Sequence, residues 1–396
     1  MTISDRITAL AESETLATAR KIRILEAEGN QIIKLHLGEP DFNTPDFIKT
    51  AAISAINSNA SFYTPVSGYL ELREAICEKL KRDNDLEYTP EQIICSTGAK
   101  QSIANAILAL VNPGDEVIIL APYWVTYLEI VKLAGGVPKI VYSGVNQEFK
   151  VIPEQLESAI THQTKVILFS SPSNPTGAIY NKEEYEAIAK IILKWEKIIV
   201  IADEIYEHIN FIGVHYSIAK VPGMYDKTVV INGMSKGFAM TGWRLGYMAA
   251  SKEITAACDK IQGQFTSAPC SIAQKASIAG LLAKPSQLYY MTEIYEKRRN
   301  IGIALFKHLP KIKLAVPQGA FYLFPDCSAY IGTRNGSWTI NTMNDLATYL
   351  LEEYFVGVVS GEAFGCKNSI RLSFATSDDL LIEGISRIKN GLNALN

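Results

Sequence analysis

The sequence holds no run of about 18 apolar residues, so no bilayer-spanning helix is expected. It has no block of five Lys or Arg and no basic tail; 38 basic residues stand against 41 acidic ones, a net charge of −3. That balance predicts no nucleic-acid partner and no membrane partner. A small acidic substrate is still compatible, because the potential inside a pocket is set locally. Residues 1–20 contain no apolar stretch with a basic flank, so no secretory leader is expected. Neither GxGxxG nor GxxxxGK[ST] occurs, which removes the dinucleotide fingerprint and the P-loop. Cysteine is sparse and scattered (Cys77, Cys95, Cys258, Cys270, Cys327, Cys366), with no CxxC pair. This predicts reduced thiols and a cytoplasmic location. The five histidines (His36, His162, His208, His215, His308) show no metal-ligand spacing; they are expected in structural or surface places, with no metal bound.

What is present is an alternation. Hydrophobic residues make up 48% of the chain, enough for a globular core, and 396 residues exceed what one core normally supports, so two domains are expected. Helical periodicity runs through 45–59, 70–82, 102–111, 153–161 and 182–195, and β-rich runs lie between at 92–95, 116–120, 138–142, 165–169, 197–201 and 228–231. Several of these runs are apolar throughout, as strands covered on both faces of a parallel sheet are. The expected class is α/β, with helices on both faces. Beyond about residue 285 the alternation weakens: helices over 286–308, 341–354 and 377–393 flank strands near 313–316, 320–324 and 369–373, a smaller α+β domain. A helix-like stretch at 5–28 stands outside the alternation. The expected division is therefore an N-terminal segment (1–45) packed on the smaller domain or a partner subunit, a large domain (46–285) and a small C-terminal domain (286–396).

In open α/β sheets ligands bind beyond the carboxyl ends of the strands, so the residues that follow each strand carry the functional information. After 92–95 comes Gly98-Ala99-Lys100 and then a helix, either an ordinary turn or an anion cradle built on a helix start. After 116–120 comes Trp124, an indole that could stack on a flat ring or simply fill the core. After 165–169 comes Pro172-Ser173-Asn174-Pro175-Thr176-Gly177, a rigid turn that could aim the Asn174 amide. After 197–201 comes Asp203-Glu204-Ile205-Tyr206; an acid closing an apolar strand needs a positive partner, whether a side chain or a protonated ring nitrogen. After 228–231 comes Ser235-Lys236-Gly237, followed by Arg244. Lys236 sits among glycine, aromatic and apolar residues, and a desolvated lysine becomes a nucleophile toward aldehydes.

Taken together these segments resemble the class I aminotransferases of fold type I, enzymes dependent on pyridoxal 5′-phosphate (PLP), and within them the bacterial aspartate/prephenate branch. The resemblance runs from Leu37-Gly38-Glu39-Pro40-Asp41-Phe42 to Ile370-Arg371-Leu372-Ser373. It implies a large domain with a mostly parallel seven-stranded sheet flanked by helices. It also implies roles for individual residues. Lys236 carries PLP covalently and moves protons at the substrate Cα. Asp203 keeps the pyridine nitrogen protonated, Tyr206 and Asn174 bond the phenolic oxygen, and Trp124 stacks on the ring. Ser235, Arg244 and Gly98-Ala99-Lys100 hold the phosphate. Arg371 grips the substrate α-carboxylate beside the Gly38 backbone, with Trp124 and Asn174 also bordering the substrate. Tyr63 reaches the cofactor phosphate of the neighbouring subunit, which implies a homodimer with shared sites.

Substrate choice follows from the same resemblance. The region 264–269, where animal-type relatives lend an arginine for the side-chain carboxylate, has none. Lys100, with Ser13 and Thr15, is implied in that place, which favours a dicarboxylic donor. The expected reaction is ping-pong transfer of the amino group of L-aspartate to 2-oxoglutarate. Prephenate, alanine and aromatic aminotransferases are the alternatives. Gly237 departs from the family, where a residue with a side chain is commoner; a looser lysine loop is expected, with the same reaction.

Overall fold

The computed structural model describes residues 3–8, 10, 11, 14–309 and 311–396. The chain begins with α1 (Asp5–Thr8), α2 (Glu14–Ala27) and β1 (Ile33–Lys34). Then come α3 (Asp46–Asn57), α4 (Leu70–Asn84), β2 (Ile93–Ser96), α5 (Ala99–Leu110), β3 (Glu116–Ala121), α6 (Thr126–Leu133) and β4 (Val137–Tyr142). The alternation continues through α7 (Pro153–Ala159), β5 (Thr164–Ser170), α8 (Lys182–Ile192), β6 (Ile199–Asp203), β7 (Thr228–Gly233) and β8 (Gly246–Ala249). Three helices follow, α9 (Lys252–Phe265), α10 (Ser271–Leu282) and α11 (Tyr289–Phe306). The C-terminal part holds β9 (Tyr322–Leu323), β10 (Arg334–Asn335), β11 (Trp338–Thr339), α12 (Met343–Tyr354), β12 (Val356–Gly357), β13 (Val359–Ser360), β14 (Ile370–Ser373) and α13 (Asp378–Asn393).

Seven strands form one sheet in the order β2-β8-β7-β6-β5-β3-β4. All neighbours are parallel except β8, which runs antiparallel to both β2 and β7. The apolar runs are explained by two covered faces. Along β3, Val117 and Ile119 pack into one core and Ile118 and Leu120 into another; along β5, Val166 and Leu168 divide from Ile167 and Phe169 in the same way. Each strand therefore buries both sets of its alternating side chains. Because β5, β6 and β7 are parallel and in register, Ser170 lies opposite Asp203 and Asp203 opposite Ile231, which aligns their carboxyl ends along one edge.

The C-terminal part carries a three-stranded sheet, β13-β14-β9, beneath α11, α12 and α13. β1 pairs in parallel with β12, which ties the N-terminal segment to this part. The strand expected at 313–316 does not form. Lys313 pairs with Asp326 at a single bridge, while Val316 is exposed and Pro317, lacking an N–H, follows it. Three helices, α6, α9 and α10, and the strand β8 are present where the periodicity of the sequence gives no sign of them. All six cysteines are free, and no helix among the described residues is long and apolar enough to cross a membrane.

One buried ion pair joins these layers. Lys79 of α4 is 1% exposed and contacts Glu207, in the loop after β6, which is 3% exposed. Asn84 bridges the two, accepting from the Lys79 ammonium at 2.7 Å and donating to Glu207 at 2.8 Å. Removing one partner strands the other charge in the interior. Lys79→Met is expected to lower stability by about 3–5 kcal/mol in urea unfolding, and Lys79→Met with Glu207→Leu to recover most of that loss. Equal losses in the single and double variants would show that the pair is not the cause.

Candidate active site

The carboxyl edge of the sheet opens into a cavity of about 370 Å³. Its walls include Ala99 and Lys100 from the start of α5, Trp124 and Tyr127 after β3, Asn174 after β5, Asp203 and Tyr206 at the end of β6, and Ser235, Lys236 and Arg244 after β7. Gly38, Tyr322 and Arg371 close it from the N-terminal segment and the smaller sheet. Of the residues singled out in the sequence, Gly98 stands just behind this wall. Its φ of +82° suits the N-cap of α5, and an added Cβ would lie 2.5 Å from Arg244 Nη2. Only glycine lets the Arg244 guanidinium rest against the first turn of α5. Arg244 itself donates to the Thr241 carbonyl at 2.8 Å. Tyr63 is not in the cavity wall; it is fully exposed beside Phe62, in a hollow shared with Thr266, Ser267, Ala268 and Pro269. Ser13 and the Thr15 side chain lie outside the described residues.

Three ionisable groups in the cavity are held without a counter-ion among the described residues. Asp203 is buried, and burial pushes its carboxyl up to about 6, although Tyr127 donates to Oδ2 at 2.6 Å and the Ile205 N–H to Oδ1 at 3.2 Å. Lys236 keeps some surface toward the cavity and donates to the Gly38 carbonyl at 2.6 Å; desolvation pulls its amine down to about 8. Arg371 is 3% exposed. Its Nη1 donates to Asn174 Oδ1 at 2.9 Å and its Nη2 to the His36 carbonyl at 2.8 Å, while Nε has no partner. The guanidinium also lies 4.5 Å from the Tyr322 ring centroid and 4.8 Å from that of Phe364. A buried guanidinium with an unused N–H and no carboxylate is a receptor for an anion. Asp203, a buried acid in the same cavity, calls for a positive group.

Sequence reasoning missed several residues that shape these groups. Tyr127 bonds Asp203 and meets Trp124 edge to face at 5.6 Å. Tyr322 bonds the Tyr206 hydroxyl at 2.7 Å and lies under Arg371. His36 supplies a carbonyl to Arg371, and Thr241 bonds Glu39. Tyr127 had one visible signal, its place three residues after Trp124 in the turn that opens α6.

The family model for aminotransferase class I and II matches residues 30–388. The chain belongs to this family. Among aminotransferases it is 44% identical to a bifunctional aspartate aminotransferase and glutamate/aspartate-prephenate aminotransferase of Petunia hybrida, over 99% of this chain and 83% of that one. It is also 44% identical to the aspartate/prephenate aminotransferase of Cereibacter sphaeroides, over 98% of each. Among solved structures, the aspartate aminotransferase of Rhizobium meliloti superposes with a TM-score of 0.97 at 38% identity, over the whole of both chains. That of Thermus thermophilus with maleate gives 0.93 at 38% identity, over 99% of this chain and all of that one. The family uses PLP, and the cavity of this aminotransferase suits it: an unpaired buried acid for the ring nitrogen, an amine of lowered pKa, and an arginine seated against a helix start for the phosphate.

The two shifted groups make stability of the cofactor-free protein depend on pH. The unfolded chain keeps the Lys236 proton to about 10.5, whereas the folded one releases it near 8, so stability should rise across that interval, on the order of 1–3 kcal/mol. The folded chain keeps the Asp203 proton to about 6, whereas the unfolded one releases it near 3.8, so there stability should fall as pH rises. Denaturant midpoints against pH test both: Lys236→Met should flatten the first trend and Asp203→Asn the second. Slopes that survive these substitutions would contradict the assignment.

Proposed function

We propose that the protein is a PLP-dependent aminotransferase that passes the amino group of L-aspartate to 2-oxoglutarate. The observation that carries this is the convergence of Lys236, Asp203 and Arg371, all held without counter-ions, in one cavity. PLP, when bound, supplies a sink for the electron pair released when the Cα–H bond of the substrate breaks. Asp203 holds the proton on the pyridine nitrogen, and its bond from Tyr127 keeps the carboxyl in place. Lys236 would anchor the cofactor, and its Nζ, when free, would take the proton from the substrate Cα and return one, a task that suits an amine with a pKa of about 8. Arg371 uses Nε and its remaining N–H groups to fix the α-carboxylate, while its bonds to Asn174 and the His36 carbonyl hold the fork rigid. Tyr206 and Asn174 would bond the phenolic oxygen, Trp124 would cover the ring, and Ser235, Arg244 and the start of α5 would hold the phosphate.

Lys100 is the side-chain reader in this proposal. Its ammonium lies 4.9 Å from the Trp124 ring centroid, at the cavity wall, and suits a second carboxylate. The maleate in the Thermus thermophilus structure is a dicarboxylate, which supports this reading. Prephenate also carries two carboxylates and appears in the names of the relatives, so it is the second acceptor to test. We further propose a homodimer, supported by the exposed aromatic side chains Phe62, Tyr63 and Phe265.

Incubation with PLP, aspartate and 2-oxoglutarate should yield oxaloacetate and glutamate, and Lys236→Ala should abolish turnover; turnover that persists in that variant would end the proposal. Arg371→Lys should lower kcat/KM by about 100-fold for every donor, because lysine lacks the bidentate fork. Lys100→Met should cost about tenfold with aspartate and less than about twofold with alanine or phenylalanine. A uniform loss across donors would assign Lys100 to the cofactor instead.

A further inference from the structure

Lys236 and Gly237 also border a second cavity of about 320 Å³. Its walls are mixed: Ile209, Val214, Leu288 and Met291 alternate with polar groups, among which Asn210 Nδ2 and His215 Nδ1 have no hydrogen-bond partner, while His215 Nε2 lies 3.0 Å from Glu204. Such a compartment suits ordered water. Lys236 thus lines two cavities, the one that holds Asp203 and Arg371 and this second one behind the lysine loop. What fills the space beside the lysine loop is the His208 imidazole. A Cβ at position 237 would lie 2.7 Å from both His208 Cβ and Cδ2, so glycine at 237 is what admits the ring. The room left by the missing side chain is taken, not loose.

His208 is fixed on several sides. Its ring meets Phe238 edge to face at 5.1 Å, and its Nε2 lies 3.2 Å from Glu207, the partner of Lys79. Its carbonyl accepts from the Thr292 hydroxyl of α11 at 2.8 Å. Burial lowers its pKa, which favours a neutral ring. Glu204, Glu207 and His215 come together in the same region, but both Glu207 oxygens are already taken by Lys79 and Asn84, so this is a charge network and not a metal seat.

We propose that His208 is a positioning residue for Lys236: seated in the space that Gly237 leaves, its ring closes the lysine loop against the second cavity and keeps water from the amine. This rests on the reading of Lys236 as the cofactor-bearing residue. The charged groups facing the amine are Glu39, Asp203, Arg244 and Arg371; those around the second cavity are Arg82, Asp83, the Lys79–Glu207 pair and His215 with Glu204.

The test is the pH titration of the visible absorbance of the PLP-loaded protein without substrate. His208→Ala should raise the midpoint by roughly half a unit or more, because water favours the charged form of the lysine nitrogen. It should lower kcat severalfold and leave KM for the donor within about twofold. His208→Leu, which fills the space without ring nitrogens, should keep the midpoint within about 0.2 unit. Gly237→Ala, whose Cβ displaces the ring, should shift it as His208→Ala does, and the double variant should be no worse than either single one. A His208→Ala midpoint matching the wild type, or a His208→Leu midpoint displaced as far as that of His208→Ala, would overturn the inference. Should His208→Ala not fold, Gly237→Ala and His208→Leu decide it in the same way. A wild-type protein that takes up no PLP would overturn the proposed function, whereas a normal wild-type titration with unshifted variants would overturn this inference alone.

Discussion

Charges held out of water without partners are the constraint from which the rest of this structure follows. An uncompensated buried ion costs several kcal/mol, and a fold carries such a cost only where the rest of the interior is well packed. Here the offset is visible in the sheet, whose central strands bury both faces, and in the aromatic residues Tyr206, Phe321 and Tyr322, which pack edge to face and tilted against one another. The cavity groups are not free to relieve themselves. Asp203 ends a strand held on both sides, Lys236 follows another, and Arg371 lies within β14. Each side chain inherits its position from main-chain hydrogen bonds it did not choose, so the electrostatic tension is preserved until ligands of the right charge arrive.

Sheet topology explains why these groups meet. Parallel strands deliver all their carboxyl ends to one edge, and the loops that follow β3, β5, β6 and β7 bring Trp124, Asn174, Asp203 and Lys236 there from four separate stretches of sequence. The antiparallel β8 has a different task. Inserted between β2 and β7, it places Gly246 against the backbone of Gly98 and Ala99, so the turn after β7 and the start of α5 are pressed together. That contact brings Arg244 beside Gly98. The seat of Arg244 against the start of α5 is thus a product of strand order as much as of the residues in it.

Much of this is legible in the sequence, for identifiable reasons. Strands buried on both faces read as continuous apolar runs, and the residues after them are chemically distinctive, so Asp203, Lys236 and Arg244 stand out by residue type and place alone. β8 does not, because Gly246-Tyr247-Met248-Ala249 is short and follows a glycine-rich loop. α9 and α10 do not, because they follow one another with no strand between them to mark where one ends and the next begins. The partners of the cavity groups are the hardest to see. Tyr322 lies in a strand that the sequence predicts, but nothing local says that its hydroxyl meets Tyr206, 116 residues away. Carbonyl acceptors such as those of Gly38 and His36 have no residue signature at all. The meaning of Gly237 is likewise out of the sequence's reach, since it depends on where the His208 ring lies in space.

The two ends of the proposed substrate meet very different surroundings, and this bears on how one site can accept more than one dicarboxylate. Arg371 is buried, bonded at both Nη atoms and packed 4.5 Å from the Tyr322 and 4.8 Å from the Phe364 ring centroid, so an α-carboxylate would be held in a single geometry. Lys100 is an exposed residue at the first turn of α5, with its ammonium 4.9 Å from the Trp124 ring centroid and no carboxylate partner among the described residues. A flexible ammonium on a four-carbon stem can follow a carboxylate placed at different distances from Cα, whereas a rigid guanidinium cannot. Strictness at one end fixes the bond to be broken; latitude at the other admits an acid of a different shape. On that reading, breadth of substrate needs no second site and no rearrangement of the catalytic groups, only a cation left loose where the chemistry does not occur.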